Sequence, residues 1–216
     1  MRGDVIIVEE HHRKAAEKIV GYLAPLVRES LRPYAITVAG ESGSGKSETA
    51  KALCERFQDE GIPSIILQQD DYFHLPPKSN DRRRREDISW VGMQEVKLDL
   101  LDQHLQQARG AVPEITKPLV IYDEDTVIEE TLAVGDARVV IAEGTYTTSL
   151  ENVDTRVFIN RNRLETLESR AKRAREEIEP FLEQVLEIEH EIIAPQRERA
   201  EIIITRDYEV MLPDSQ

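Results

Sequence analysis

The octapeptide Gly40-Glu41-Ser42-Gly43-Ser44-Gly45-Lys46-Ser47 constrains this chain more than any other feature. It fits the pattern G-x-x-x-x-G-K-[ST] at every fixed position and follows the compact apolar run Tyr34-Ala35-Ile36-Thr37-Val38-Ala39. It opens a segment, Ser47 to Asp59, whose Ala50, Leu53, Cys54 and Phe57 share one helical face. Strand, glycine-rich turn and helix in that order make a phosphate cradle. Glycines permit positive φ, so successive backbone N–H groups gather round phosphate oxygens, and the helix N-terminus adds unsatisfied donors and partial positive charge. Lys46 supplies a cation for the β- and γ-phosphates, and the Ser47 hydroxyl is a hard oxygen ligand for Mg²⁺. The expected ligand is a nucleoside triphosphate with Mg²⁺, held by Gly40, Glu41, Ser42, Gly43, Ser44, Gly45, Lys46, Ser47 and the next residue, Glu48.

The flanking pattern is α/β. Val5 to Val8 reads as a short edge strand, Glu9 to Leu31 as a packing helix stopped by Pro33, and Ser64 to Gln68 as a buried strand. Pro76 to Asp87, with Arg82-Arg83-Arg84-Arg85, reads as a loop or excursion, and Val96 to Ala108 as a helix. Leu119 to Tyr122 with Asp125 to Leu132 suggests a hairpin. Arg138 to Ala142, Thr155 to Ile159 and Ala200 to Thr205 are further apolar strands, with Tyr208 to Leu212 as an edge strand. Residues 163 to 194 form a charged helical region broken near Pro180. Strands alternating with helices predict a mainly parallel sheet between helical layers, and 216 residues without a low-complexity linker predict one domain.

Composition narrows the partners. With 28 Lys plus Arg against 42 Asp plus Glu, the formal charge is −14, which repels a phosphate backbone, so nucleic-acid binding is not expected. The single Cys54 suits a reducing compartment and is read as part of the helix core. No apolar run is long enough for a secretory h-region or a membrane span, so the chain is expected in the cytoplasm, away from membranes. His11-His12 and His190-Glu191 have no third ligand at useful spacing and are read as surface residues.

A phosphate cradle serves switches, motors and small-molecule kinases alike. The Asn-Lys-x-Asp of a base-reading GTPase is absent, although a nucleotide-hydrolysing switch or assembly protein working through a protein partner stays as the alternative. The end of the second strand, Gln68-Gln69-Asp70-Asp71-Tyr72-Phe73, separates these readings. A carboxylate there, on a strand beside the cradle strand, can take the proton of an attacking hydroxyl. It can equally cap a turn.

At these residues the sequence resembles the uridine kinase and phosphoribulokinase family of P-loop kinases. The resemblance rests on Ala39 to Ser47, on Gln69-Asp70-Asp71-Tyr72-Phe73, on the strand Val139-Val140-Ile141-Ala142-Glu143-Gly144, and on Arg199 to Arg206. These four motifs in order span Tyr34 to Arg206. It implies a P-loop NTPase-type three-layer α/β sandwich with a mainly parallel sheet and an α-helical lid. The whole chain, 1–216, is then one kinase domain: 1–32 an N-terminal strand and helix, 71–132 the acceptor-binding excursion, 161–195 the lid region. It also implies an ATP- and Mg²⁺-dependent transfer of the γ-phosphate to a hydroxyl of a small-molecule acceptor, a nucleoside, sugar phosphate or hydroxy acid. Asp70 would be the general base, with Asp71 second in line, and Glu143 would join Ser47 at the metal. Lid arginines would reach the transferring group. Arg170 and Arg173 share a helix face at i, i+3 and could point into the cleft, or could pair with Glu165, Glu168, Glu176 and Glu177 in solvent. The chain departs from the family's Arg-Gly-Arg continuation, reading Glu176-Glu177-Ile178-Glu179-Pro180, which makes Arg175 a substitute. Between Asp71 and Leu132 aromatic residues are sparse, and Arg82 to Arg85 could hold an anionic acceptor or be a solvated face. Oligomeric state is left open, a homo-oligomer included.

Overall fold

Five parallel strands and one antiparallel strand form the central sheet of the computed structural model, which describes residues 1–3, 5–162, 165 and 180–213. The strands are β1 (Tyr34–Gly40), β2 (Ser64–Gln68), β5 (Val139–Glu143), β6 (Thr155–Ile159), β7 (Ile202–Ile204) and the antiparallel β8 (Val210–Met211). Their order is β2-β5-β1-β6-β7-β8. A separate antiparallel hairpin joins β3 (Glu114–Ile121) to β4 (Thr126–Ala133). The helices are α1 (Glu10–Glu29), α2 (Lys46–Asp59), α3 (Pro77–Glu86), α4 (Leu98–Arg109) and α5 (Pro180–Ile193).

Side-chain alternation explains the three layers. On β1, β5 and β6, residues Ile36, Val38, Val139, Ile141, Val157 and Ile159 point to one face. They meet Ile19, Leu23 and Val27 of α1 and Ala50, Leu53 and Phe57 of α2. The intervening Ala35, Ala39, Val140, Ala142 and Phe158 point to the other face, toward Leu101 and Leu105 of α4 and Ile193 of α5. Strands buried on both faces read as continuous apolar runs, as parallel sheets require. Cys54 is half-buried and packs against the first of these cores, as expected.

Three sequence expectations change. The Val5 to Val8 strand does not form, and Val5 and Ile7 remain 74% and 65% exposed. β-branched residues favour a strand only where a neighbour offers a ladder, and the bridge nearby is made instead by Arg2 with Ile121. Pro76 to Asp87 is not a loop but contains α3. Pro77 starts this helix, the Asp125 carboxylate from the hairpin turn accepts the Lys78 and Ser79 N–H groups at 2.7 and 3.1 Å, and Asp81–Arg85 forms an i, i+4 pair. Finally, β2 does not lie beside β1, because β5 is inserted between them. Of the expected lid, α5 is described, whereas Arg163, Arg170, Arg173 and Arg175 lie outside the described residues.

Candidate active site

The loop from Gly40 to Ser47 wraps the carboxyl end of β1. Gly43 and Gly45 adopt φ of 76° and 97°, left-handed values that favour glycine, and Gly45 stands directly before α2. Lys46 folds back so that its Nζ donates to the Glu41 carbonyl at 2.9 Å. Ser44 and Glu48 are buried, the latter in the first turn of α2.

Parallel register then aligns three strand ends. Val38 of β1 and Gln68 of β2 both sit opposite Glu143 of β5. The Ser47 hydroxyl donates to Glu143 Oε1 at 3.1 Å, and Gln68 Nε2 approaches the same oxygen at 3.4 Å. Burial, followed by the Asp70 carboxylate, pushes the Glu143 pKa up to about 7 against the opposing pull of Lys46. A buried carboxylate beside a serine hydroxyl is a pair of hard oxygen donors. This donor set fits Mg²⁺, which takes few protein oxygens and fills its remaining positions with water and phosphate.

The two aspartates after β2 part company. Asp70 is exposed in the short turn Gln69–Tyr72. Asp71 is 1% exposed and fully engaged, with Lys117 Nζ at 2.8 Å, the Val120 N–H at 3.0 Å and the Met1 amine at 3.1 Å. Its role is to bind the hairpin to the end of β2. The next side chain, Tyr72, is also buried, its hydroxyl 2.9 Å from His104 Nδ1. Burial, aided by Lys117, lowers the His104 pKa.

In the excursion, Arg84 is not an open anion receptor. Its guanidinium is bidentate on Glu95 at 2.6 and 3.0 Å and reaches Glu189 of α5 at 3.1 Å. Glu95 also accepts from Asn80 at 2.5 Å and the Gly92 N–H at 2.6 Å, and Asn80 holds the Trp90 indole N–H at 2.9 Å. Burial raises the Glu189 pKa although Arg84 and Lys46 oppose it. Arg83 pairs with Glu86 and Asp87, and Arg85 with Asp81. From α5, His190 Nδ1 meets Glu41 Oε1 at 2.6 Å, while Glu41 Oε2 is buried with no hydrogen-bond partner among the described residues.

The histidines expected on the surface therefore include two that are engaged inside the fold. His12 is itself 5% exposed and reaches Tyr208, and His190 reaches the phosphate loop. Sequence reasoning also passed over Glu95 and Glu189. Glu189 carried one usable signal: it is an acidic residue among Val185, Leu186 and Ile193, on the apolar stripe of α5.

Residues 35–212 match the model of the Phosphoribulokinase / Uridine kinase family. A bifunctional alpha-galactosidase/sucrose kinase of Mediterraneibacter gnavus is 32% identical over 187 residues, which are 80% of this chain and 20% of that longer protein. The uridine kinase of Bacillus cytotoxicus is 30% identical over 189 residues, covering 80% of this chain and 85% of its own. A solved structure described as a possible uridine kinase from Bacillus stearothermophilus matches with a TM-score of 0.63 at 16% identity, over 88% of this chain and 97% of that one. At that identity the likeness is one of fold, a P-loop kinase with a mainly parallel sheet. Among the described residues no helix is long and apolar enough to cross a membrane. The chain belongs to the phosphoribulokinase / uridine kinase family and is an enzyme of that family, a kinase that phosphorylates an alcohol group.

Proposed function

We propose that this chain transfers the γ-phosphoryl group of ATP to a hydroxyl of a neutral, polyhydroxylated small molecule, a free sugar. The observation that carries the transfer is the meeting of Ser47 Oγ and Glu143 Oε1 at 3.1 Å, with the Asp70 charge acting on the same carboxylate. Amides of residues 40–47 and Lys46 hold the triphosphate, and Ser47 and Glu143 hold Mg²⁺. When bound, that ion supplies positive charge to the β- and γ-phosphate oxygens. Asp70, exposed at the adjoining strand end, orients the acceptor hydroxyl and takes its proton as the oxygen bonds to phosphorus. Arg170 and Arg173 neutralise charge on the transferring group.

The neutrality of the acceptor is supported by Arg84. Its guanidinium is taken up by Glu95 and Glu189, so it is not open to the anionic group of a sugar phosphate or hydroxy acid. A sugar is favoured over a nucleoside because two of the excursion's aromatic residues, Tyr72 and Trp90, are already engaged. Tyr72 is buried on His104, and the Trp90 indole is tied to Asn80 and covered by Arg83 at 5.7 Å. The sucrose kinase relative points the same way. Uridine kinase relatives favour the second reading, a nucleoside.

The test is ADP release above an acceptor-free blank, with ATP-Mg²⁺ and a panel of free mono- and disaccharides, nucleosides, sugar phosphates and glycerate. A free sugar should give the highest kcat/KM. A nucleoside in that place would overturn the sugar assignment, and a phosphorylated or carboxylated acceptor would overturn neutrality. Asp70→Asn should abolish transfer while ATP still binds, and wild-type turnover in that variant would refute the base.

A further inference from the structure

We propose that His12 and Tyr208 are positioning residues for the phosphate loop, so that α1, which precedes the matched family domain, is a working part of the nucleotide site. The proposal rests on the reading of residues 40–47 as a triphosphate cradle.

A chain of hydrogen bonds with fixed direction leads from α1 to that loop. His12 Nδ1 accepts the Glu9 N–H at 3.0 Å. A ring nitrogen that accepts carries no proton, so the proton of the neutral ring sits on Nε2. Nε2 lies 3.2 Å from the Tyr208 hydroxyl, which can therefore accept from it. That hydroxyl is 2.6 Å from the Ser44 carbonyl, to which it can only donate. Each group then has one role, and the order is Glu9 N–H, His12, Tyr208, Ser44 C=O.

The last link bears on phosphate binding through peptide geometry. In a planar trans peptide the Ser44 carbonyl and the Gly45 N–H point in opposite directions. Anchoring the carbonyl on Tyr208 aims the Gly45 N–H to the other side of the loop, the side on which such amides gather round an anion. Gly45 has φ of 97°, and a Cβ there would press on the Tyr208 hydroxyl and come within 3.0 Å of His12 Nε2. The two side chains thus close against a loop residue that has no side chain to give way.

Tyr208 also holds an uncommon backbone conformation, φ of 61°, in the turn between β7 and β8. Such strain persists where surrounding contacts impose it, and it concentrates at functional sites. The contacts are present. The His11 ring lies 4.1 Å from the Tyr208 ring, the Arg161 guanidinium stands 5.4 Å over it, and the Tyr208 N–H donates to Thr205 O at 3.0 Å.

The experiment measures the ADP dissociation constant by calorimetry without acceptor, alongside thermal unfolding, for wild type, Tyr208→Phe, His12→Leu, His12→Gln and the double variant His12→Leu/Tyr208→Phe. Tyr208→Phe keeps the ring and removes the donor, and should weaken ADP binding about tenfold. His12→Leu should do the same. His12→Gln can present an amide donor in place of Nε2 and should recover most of the loss. Because the links act in series, the double variant should bind no worse than Tyr208→Phe alone. ADP affinity within twofold of wild type in Tyr208→Phe, even with a lowered Tm, would overturn the proposal, as would additive losses in the double variant. If wild type itself bound no ADP, the cradle reading would fall and this proposal with it. Wild-type binding with indifferent variants would sink this proposal alone.

Discussion

Glu143 shows what a site residue costs the fold that carries it. In the folded chain its pKa is pushed up to about 7 from 4.5, chiefly by burial and then by Asp70. Below pH 4.5 the carboxyl is neutral in both folded and unfolded chains and the difference contributes nothing. As pH rises from 4.5 to 7 the unfolded chain ionises more readily than the folded one, so stability falls, and above pH 7 the full penalty applies. That displacement corresponds to up to about 3 kcal/mol. Metal-free Glu143→Gln should therefore melt higher than wild type at pH 8, by a margin that shrinks at pH 5, and should lack kinase activity. Thermal unfolding in chelator at both pH values is the check, and an equal margin at the two would show that the carboxylate is not strained. The Gly40 to Ser47 motif and the Glu143 strand were legible at this scale because their spacing carries chemistry locally. The division between Asp70 and Asp71 was not, since what occupies Asp71 is Lys117, distant in sequence and brought near only by the hairpin.

Among elements, the β3–β4 hairpin has the least regular relation to the sheet, and one buried contact holds much of it. Lys117 Nζ lies 2.8 Å from Asp71 and 3.2 Å from Glu130, and its side chain is 5% exposed. Removing it leaves the Asp71 carboxylate buried without its strongest partner. Lys117→Met should lose about 3–5 kcal/mol of stability, and Lys117→Met combined with Asp71→Asn should regain a substantial part. Urea unfolding of the two variants decides, and a double variant as unstable as the single one would show that the ion pair matters less than Lys117 packing. Helices α1, α2 and α4 could be read from apolar spacing. α3 could not, because its residues are almost wholly polar or charged and leave no apolar spacing to read. It is helical through Pro77 at its start, Asp125 at its N-terminal amides and ion pairs along its length, of which those of Arg84 with Glu95 and Glu189 reach outside the segment. The Val5 to Val8 run erred the other way: propensity was present and a partner strand was not.

At the scale of the molecule, alternation of strands and helices was enough to give the class and the three layers, since a sheet buried on both faces leaves continuous apolar runs in the sequence. Strand order was less accessible. The five parallel strands of the central sheet all read as short, mainly apolar runs, so composition does not say which is whose neighbour, and β2 was assigned a place beside β1 that β5 occupies.

That insertion has a consequence for how the molecule comes into being. β1 and β2 leave the ribosome early, yet neither has its partner until residues 139–143 arrive to lie between them. Until then the nascent chain carries two unpaired, apolar strand edges, and nothing resembling a catalytic centre, because its buried carboxylate is the last residue of the missing strand. A chain stopped before residue 139 should aggregate rather than bind nucleotide, despite containing the whole phosphate loop. Sedimentation of such a fragment against one extended through β7 would report it. Assembly of the sheet and birth of the site are a single event.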